Sequence, residues 1–227
     1  MSVSAAVLED LVARVHDGAA RLGPGRPAGP GAGTGAGCRL VVIDGPAGSG
    51  KTTLAAQLGA ELSAQVIHMD DLYEGWTGMS AGVGRLVEQV LAPLAAGRPG
   101  SYRRYDWTLG GFAELHEVPL APFLVVEGCG AGARRVAPLT TLLVWVEADD
   151  ELRLARGLAR DGEDAREHWI GWMATEREVY AAEGTAQRAD VVLDGFGEPL
   201  APRHAGAAGV GEVEPGWSGR VGGAHEA

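Results

Sequence analysis

The residues with the most specific chemistry lie in one octapeptide, Gly45-Pro46-Ala47-Gly48-Ser49-Gly50-Lys51-Thr52. Its spacing is G-x-x-x-x-G-K-[ST], in which glycines let the backbone turn tightly and aim its N–H groups at phosphate oxygens. Lys51 is then placed to reach the β- and γ-phosphates of a nucleoside triphosphate, and the Thr52 hydroxyl to ligate Mg²⁺. Gly45, Ala47, Gly48, Ser49, Gly50, Lys51, Thr52 and Thr53 form the expected nucleotide cradle. Composition singles the lysine out, because among 19 basic residues Lys51 is the one that is not arginine. A planar guanidinium fork would not fit where a compact ammonium must bridge phosphates.

Carboxylates follow in order. Asp70 and Asp71 close the apolar run Gln65–Met69, where a carboxylate can accept the proton of an attacking hydroxyl and sit near Mg²⁺. Glu127 closes a second apolar run and precedes Gly128; it is a candidate metal ligand together with Thr52 and Asp70. Arg153, Arg156 and Arg160, spaced by three and four, share a helical face and could meet triphosphate charge. The same arginines also have Glu147, Asp149, Asp150 and Glu151 nearby as ion-pair partners. Tyr102-Arg103-Arg104-Tyr105-Asp106-Trp107 offers rings for stacking and cations for an anionic group, or else packed aromatics on an edge segment. Trp169, Trp172 and Met173 at helical spacing read as core packing rather than as a box for a ring.

The elements that must position these groups alternate. Arg39–Asp44 reads as a buried strand, 52–63 as a helix, Gln65–Met69 as a strand, and 83–96 as a helix stopped by Gly97, Pro99 and Gly100. Pro119–Glu127 and 140–147 are near-continuous apolar runs, which suit parallel strands buried on both faces. Helices over 148–161 and 164–183 and a strand over 189–193 complete a doubly wound α/β pattern with a mostly parallel five-stranded sheet. Before it stand an amphipathic helix within 1–22 and a linker, 23–37, in which ten of fifteen residues are Gly or Pro. The catalytic unit is expected to span 38–200 and a disordered tail 201–227.

The whole chain has 227 residues, 30 acidic and 19 basic, so its net charge is −11. That sign argues against nucleic acid or an anionic membrane as partner. No apolar run approaches the roughly 20 residues of a membrane span, and the N-terminus lacks the basic n-region of a signal peptide, so a cytoplasmic location is expected. Cys38 and Cys129 lack metal-ligand spacing and read as free buried thiols. The chain contains no Asn and no second Lys, which removes the Asn-Lys-x-Asp motif of a GTPase.

With these segments in order, the chain resembles the uridine/cytidine kinase-like branch of P-loop kinases, which is related to pantothenate kinase and phosphoribulokinase. The resemblance rests on Gly45–Thr52, on His68-Met69-Asp70-Asp71-Leu72-Tyr73 and on Tyr102–Trp107. It extends to Val125-Val126-Glu127-Gly128, Arg153–Asp161 and the closing Ala189–Leu193. It implies a P-loop fold, ATP and Mg²⁺ as cofactors, and γ-phosphoryl transfer to a hydroxyl of a nucleoside or similar small polar metabolite. Asp70 would then be the general base, Lys51, Arg156 and Arg160 catalytic cations, Arg156 also a nucleotide ligand, and Tyr73, Arg104, Tyr105 and Asp106 acceptor ligands beside Asp70. The segment departs from the pattern in its short stretch after Asp161 and in lacking His-x-Arg after Trp107. Its expected partner is a small-molecule acceptor, and a homo-oligomer is compatible with the same reading. A nucleoside monophosphate kinase, an antibiotic phosphotransferase and a non-catalytic ATP-binding regulator are the alternatives.

Overall fold

The computed structural model describes residues 2–23 and 37–201; the body of the expected linker and the tail beyond 201 lie outside the described residues. The central sheet is built from β1 (Arg39–Asp44), β2 (Gln65–His68), β5 (Phe123–Glu127), β6 (Thr140–Val146), β7 (Val191–Leu193) and β8 (Pro199–Leu200). Their spatial order is β2-β5-β1-β6-β7-β8. The first five are mutually parallel, and β8 is a two-residue antiparallel addition to β7, so the sheet has six strands rather than five. Strand order reverses around β1, and ligands bind outside the carboxyl ends of strands at such a switch point.

Alternate residues of the inner strands face opposite sides, which is why their sequences are apolar throughout. Val41 and Ile43 of β1 join Val125, Leu142, Val144 and Val146 against α2 (Lys51–Leu62) and α1 (Ala5–Asp17). Leu40 and Val42 face the other side with Val126 and Leu143. There they meet the helix that begins as α3 (Met79–Arg85), passes through a π-helical stretch at Leu86–Leu91 and ends as α4 (Ala92–Ala95). Gly82, Gly84 and Pro93 weaken the apolar period of this segment, so its start at Met79 lies earlier than the pattern suggests. The N-terminal helix docks on the sheet through Leu11 and Val15, both buried, with Ser4 as its cap.

Two further helices, α5 (Asp150–Asp161) and α6 (Arg166–Glu183), are joined by a single 3₁₀ turn, Glu163–Ala165, and short α7 (Thr185–Arg188) leads into β7. Residues 100–118, for which the sequence reading assigned no strand, form a separate antiparallel hairpin of β3 (Gly100–Asp106) and β4 (Gly111–Val118). No helix of the described residues is long and apolar enough to cross a membrane.

Candidate active site

The glycine-rich loop runs from the end of β1 into α2. Gly48 sits at φ +78°, and a Cβ there would come within 2.6 Å of the Arg153 carbonyl oxygen, so α5 leaves room only for glycine. Helix α2 starts directly at Lys51 behind Gly50, with no side chain capping its first N–H groups. An uncapped helix N-terminus is an anion site, since the orphan donors and the dipole act together. Inside the loop, Ser49 Oγ is fully buried and has no hydrogen-bond partner among the described residues. An unmet donor in a cradle of backbone amides fits a bound phosphate.

Lys51 is buried, and its Nζ donates to the Pro46 carbonyl at 2.9 Å. Burial works against its charge, yet Glu127, Glu176 and Asp44 outweigh that and raise its proton affinity. Parallel pairing sets Ile43 of β1 against Glu127 of β5, and Glu127 against His68 of β2. Glu127 Oε1 therefore accepts from Thr52 Oγ1 at 3.1 Å and lies 2.6 Å from His68 Nδ1. The hydrogen bond to Glu127 lifts the His68 pKa, and burial opposes that rise. Thr52 and Glu127 supply hard oxygen ligands on the loop's flank and so fit Mg²⁺. Three or more His, Cys, Asp or Glu are nowhere gathered as a metal cage among the described residues.

Asp70 stands in the 3₁₀ turn Met69–Asp71 that follows β2. Its carboxylate lines a cavity of about 500 Å³ and takes no hydrogen bond from any described residue. Asp70 keeps solvent-exposed surface, yet the protein packed around it raises its pKa by desolvation, Glu127 raises it further, and Lys51, Arg160 and His68 oppose the shift. The other walls are Tyr73, Trp76, Trp107, Trp169 and Trp172, with Ala47 of the glycine-rich loop at one end. The cavity thus adjoins the phosphate cradle and holds a carboxylate able to take a proton.

A second set of contacts ties cradle to cavity. Glu176 of α6, 1 % exposed, accepts at Oε1 from the Ala47 N–H at 2.6 Å, Trp172 Nε1 at 2.8 Å and Cys129 Sγ at 3.1 Å. Its Oε2 accepts from Arg153 Nη1 at 2.6 Å. Burial pushes the Cys129 thiol up, which keeps it a neutral donor. Asp44, at the end of β1, accepts from the N–H groups of Gly45, Gly130 and Gly132 and from the Tyr180 hydroxyl.

The three arginines of α5 do not converge on one point. Arg153 is buried in its pair with Glu176 and also reaches Asp150. Arg156 donates to the carbonyls of Gly48, Ser49 and Gly195, gripping the loop from outside and leaning on Phe196. Arg160 alone lines the cavity, where it is bidentate to Asp161 and lies over the Trp169 ring. The expectation for the hairpin is corrected. Arg104 is tied to Glu114 and Asp106, Asp106 caps the turn at Thr108 and Leu109, and Tyr105 packs on Trp107 and Phe112, so none of the three lines the cavity. Trp107 comes in their place, its Nε1 donating to the Asp70 carbonyl at 3.0 Å. Tyr73 does line the cavity with its ring, while its hydroxyl donates to the Cys129 carbonyl. Sequence reasoning missed Glu176, Trp107 and the role of the α6 tryptophans, because helical spacing describes a cavity wall and a core alike.

No protein-family model matches the chain. Among curated proteins it is similar to cytidylate kinase of Pseudomonas aeruginosa, with 30% identity over 128 residues, which are 55% of this chain and 56% of that protein. It is also similar to cytidylate kinase of Archaeoglobus fulgidus, at 32% over 124 residues, 55% of this chain and 63% of that one. The chain thus spans a little over half the length of the curated relatives it matches. Of solved structures, a protein of Bacillus stearothermophilus described as a possible uridine kinase aligns with TM-score 0.56 and 21% identity. That alignment covers 82% of this chain and 97% of that one. D-glycerate 3-kinase from Cryptococcus neoformans aligns with TM-score 0.55 and 13% identity, over 86% of this chain and 96% of that one. The α/β fold with its mostly parallel sheet is shared with these P-loop kinases.

Proposed function

We propose that the chain is an ATP-dependent kinase that moves the γ-phosphoryl group onto the hydroxyl of an unphosphorylated small molecule, a nucleoside or a ring-bearing alcohol of similar size. The observation that carries this reading is Asp70, whose carboxylate meets no protein donor among the described residues and which lines a cavity beside the glycine-rich loop. The loop amides and Lys51 would hold the β- and γ-phosphates. Thr52 and Glu127 would hold Mg²⁺, which when bound would neutralise phosphate charge.

Asp70 orients the acceptor hydroxyl and takes its proton as the oxygen attacks phosphorus. A raised pKa suits that task, since a carboxylate of ordinary acidity is a weak base for an alcohol. Lys51 is charged at any working pH and keeps the cradle positive while the transferring group passes. Arg156 fixes the loop by its carbonyls, and five aromatic side chains wall the cavity in which the acceptor would lie.

Similarity to cytidylate kinases favours a second reading, in which the acceptor is itself a nucleotide. The lining of the cavity argues for the first. The one cation among the described lining residues is Arg160, two of whose N–H groups are bound to Asp161 so that its charge is already offset, whereas a phosphorylated acceptor is held by uncompensated positive charge. ATP consumption measured against paired nucleosides and nucleotides tests both. Turnover with unphosphorylated alcohols supports the first reading, and turnover confined to CMP or UMP overturns it.

A further inference from the structure

The lining of the cavity holds more negative than positive charge. Its charged side chains are two carboxylates, Asp70 and Asp161, and one guanidinium, Arg160. Arg160 keeps N–H groups for an oxygen of a guest, but its charge is met by both oxygens of Asp161. The charge left over is that of Asp70, whose carboxylate takes no hydrogen bond from any described residue. Beyond the lining, Asp70 feels Lys51 and His68 against Glu127. Lys51 is claimed by phosphate oxygens when nucleotide fills the cradle, and MgATP is a dianion, so nucleotide makes the site more negative still.

Aromatic surface stands beside that charge. Tyr73, Trp169 and Trp172 are buried, whereas Trp107 is 41 % exposed and Trp76 half-buried. The rings of Trp76 and Trp107 meet at 71° with centroids 5.4 Å apart, and the Trp107 N–H is held by the Asp70 carbonyl. His168 stacks on Trp76, so Trp107 offers the larger open surface. An indole attracts a cation within about 6 Å of its centroid more strongly than any other side-chain ring. The fold already shows this attraction, since the Arg160 guanidinium lies 5.8 Å from the centroid of Trp169.

An exposed indole and a carboxylate without a protein partner thus share one cavity, and a cation gains from both. We infer that the acceptor is an alcohol that also carries a cationic nitrogen, an amino or quaternary-ammonium alcohol whose hydroxyl faces Asp70 while its nitrogen rests on Trp107 and Trp76. This rests on the phosphotransfer reading above and narrows its acceptor. The alcohol oxygen forms a bond to the γ-phosphorus, the bond from that phosphorus to the β–γ bridging oxygen breaks, and ADP leaves with the electron pair. The hydroxyl proton passes to Asp70 and from there to water, and the cationic nitrogen takes no part. The products are a phosphate monoester that keeps its positive nitrogen, ADP and a proton.

The full chain is compared on two pairs of alcohols matched in shape and differing in charge. They are 4-hydroxy-1,1-dimethylpiperidinium with 4,4-dimethylcyclohexanol, and choline with 3,3-dimethylbutan-1-ol, with uridine and cytidine beside them. Both cations are quaternary, so their charge is independent of pH. Affinity is read by calorimetry with Mg²⁺ and a non-hydrolysable ATP analogue, and turnover as ADP release with MgATP. The charged member of each pair is expected to bind about five- to thirtyfold more tightly and to have the higher kcat/KM. That margin should narrow as NaCl is raised, since Asp70 keeps solvent-exposed surface. Trp107→Leu should shrink it by at least about twofold. Neutral members bound and turned over as well as the charged ones overturn the inference and leave phosphotransfer standing, as does uridine or cytidine used better than either cation. Tighter binding of the charged members with no ADP from any compound supports the cation site and overturns phosphotransfer. Failure of both cations to bind overturns the inference.

Discussion

Glu176 and Arg153 form a buried ion pair, 1 % and 2 % exposed, whose acid also holds the glycine-rich loop through Ala47. Arg153→Met removes one partner and leaves a carboxylate with only neutral donors from Ala47, Trp172 and Cys129. Stranding a buried charge in this way costs about 3–5 kcal/mol. For a domain of this size each kcal/mol moves Tm by about 2–4 °C, so a fall of about 6–20 °C is expected. Glu176→Gln is the complementary change. It keeps an oxygen for the Ala47 N–H but strands Arg153, which retains only the half-exposed Asp150. The double variant Arg153→Met/Glu176→Gln carries neither charge, so it should be far less destabilised than the sum of the singles. Urea unfolding followed by tryptophan fluorescence gives the three free energies, and a coupling of at least about 2 kcal/mol is expected. Singles that add within about 0.5 kcal/mol would refute the claim that the two charges depend on one another.

Three other perturbations follow from the same site. Asp70→Asn should lower kcat by about 10²–10⁴-fold while nucleotide binding, read by calorimetry, is nearly unchanged. The stability of the same variant has a sign that pH reveals. The folded protein raises the Asp70 pKa, so at neutral pH the charged carboxylate destabilises the fold and Asp70→Asn should raise Tm. That advantage should shrink as pH falls through the raised pKa and vanish below the ordinary carboxylate range, and a Tm difference independent of pH would sink it. Thr52→Ala should raise the Mg²⁺ concentration needed for half-maximal rate by about tenfold, since it deletes one direct ligand. A Cβ on Gly157 would lie 2.2 Å from the Trp169 ring. Gly157→Ala should therefore push that wall and raise the acceptor's KM, with the KM for ATP within about twofold of the parent.

How much was legible from the chain divides along physical lines. Strands β1 and β6 announce themselves because burial on both faces demands apolar residues at every position, and the loop from Gly45 to Thr52 because phosphate binding demands glycines and a lysine at fixed places. The positions of Asp70 and Glu127 at strand ends followed from those runs. Hairpin β3–β4 was illegible because a register shift between Arg103 and Tyr105 breaks the period of two: the buried Tyr102 and Tyr105 stand three residues apart, and on β4 the apolar Leu115 is exposed. The α5 arginines shared a face in sequence, yet neighbours on other elements, Glu176 from α6 and the loop carbonyls, decided where each one went. That information is tertiary and has no local pattern.

Hairpin β3–β4 stands outside the six-stranded sheet and meets the turn after β2 through two polar contacts, Trp107 to the Asp70 carbonyl and the Tyr102 hydroxyl to Asp71. The sheet and the glycine-rich loop owe it no strand pairing. Changes in hairpin length or sequence can therefore be inherited without disturbing the triphosphate end. One scaffold could in this way acquire new alcohols by exchanging a single β-ribbon, and grafting a hairpin from another such protein onto this sheet is the corresponding route for an engineer.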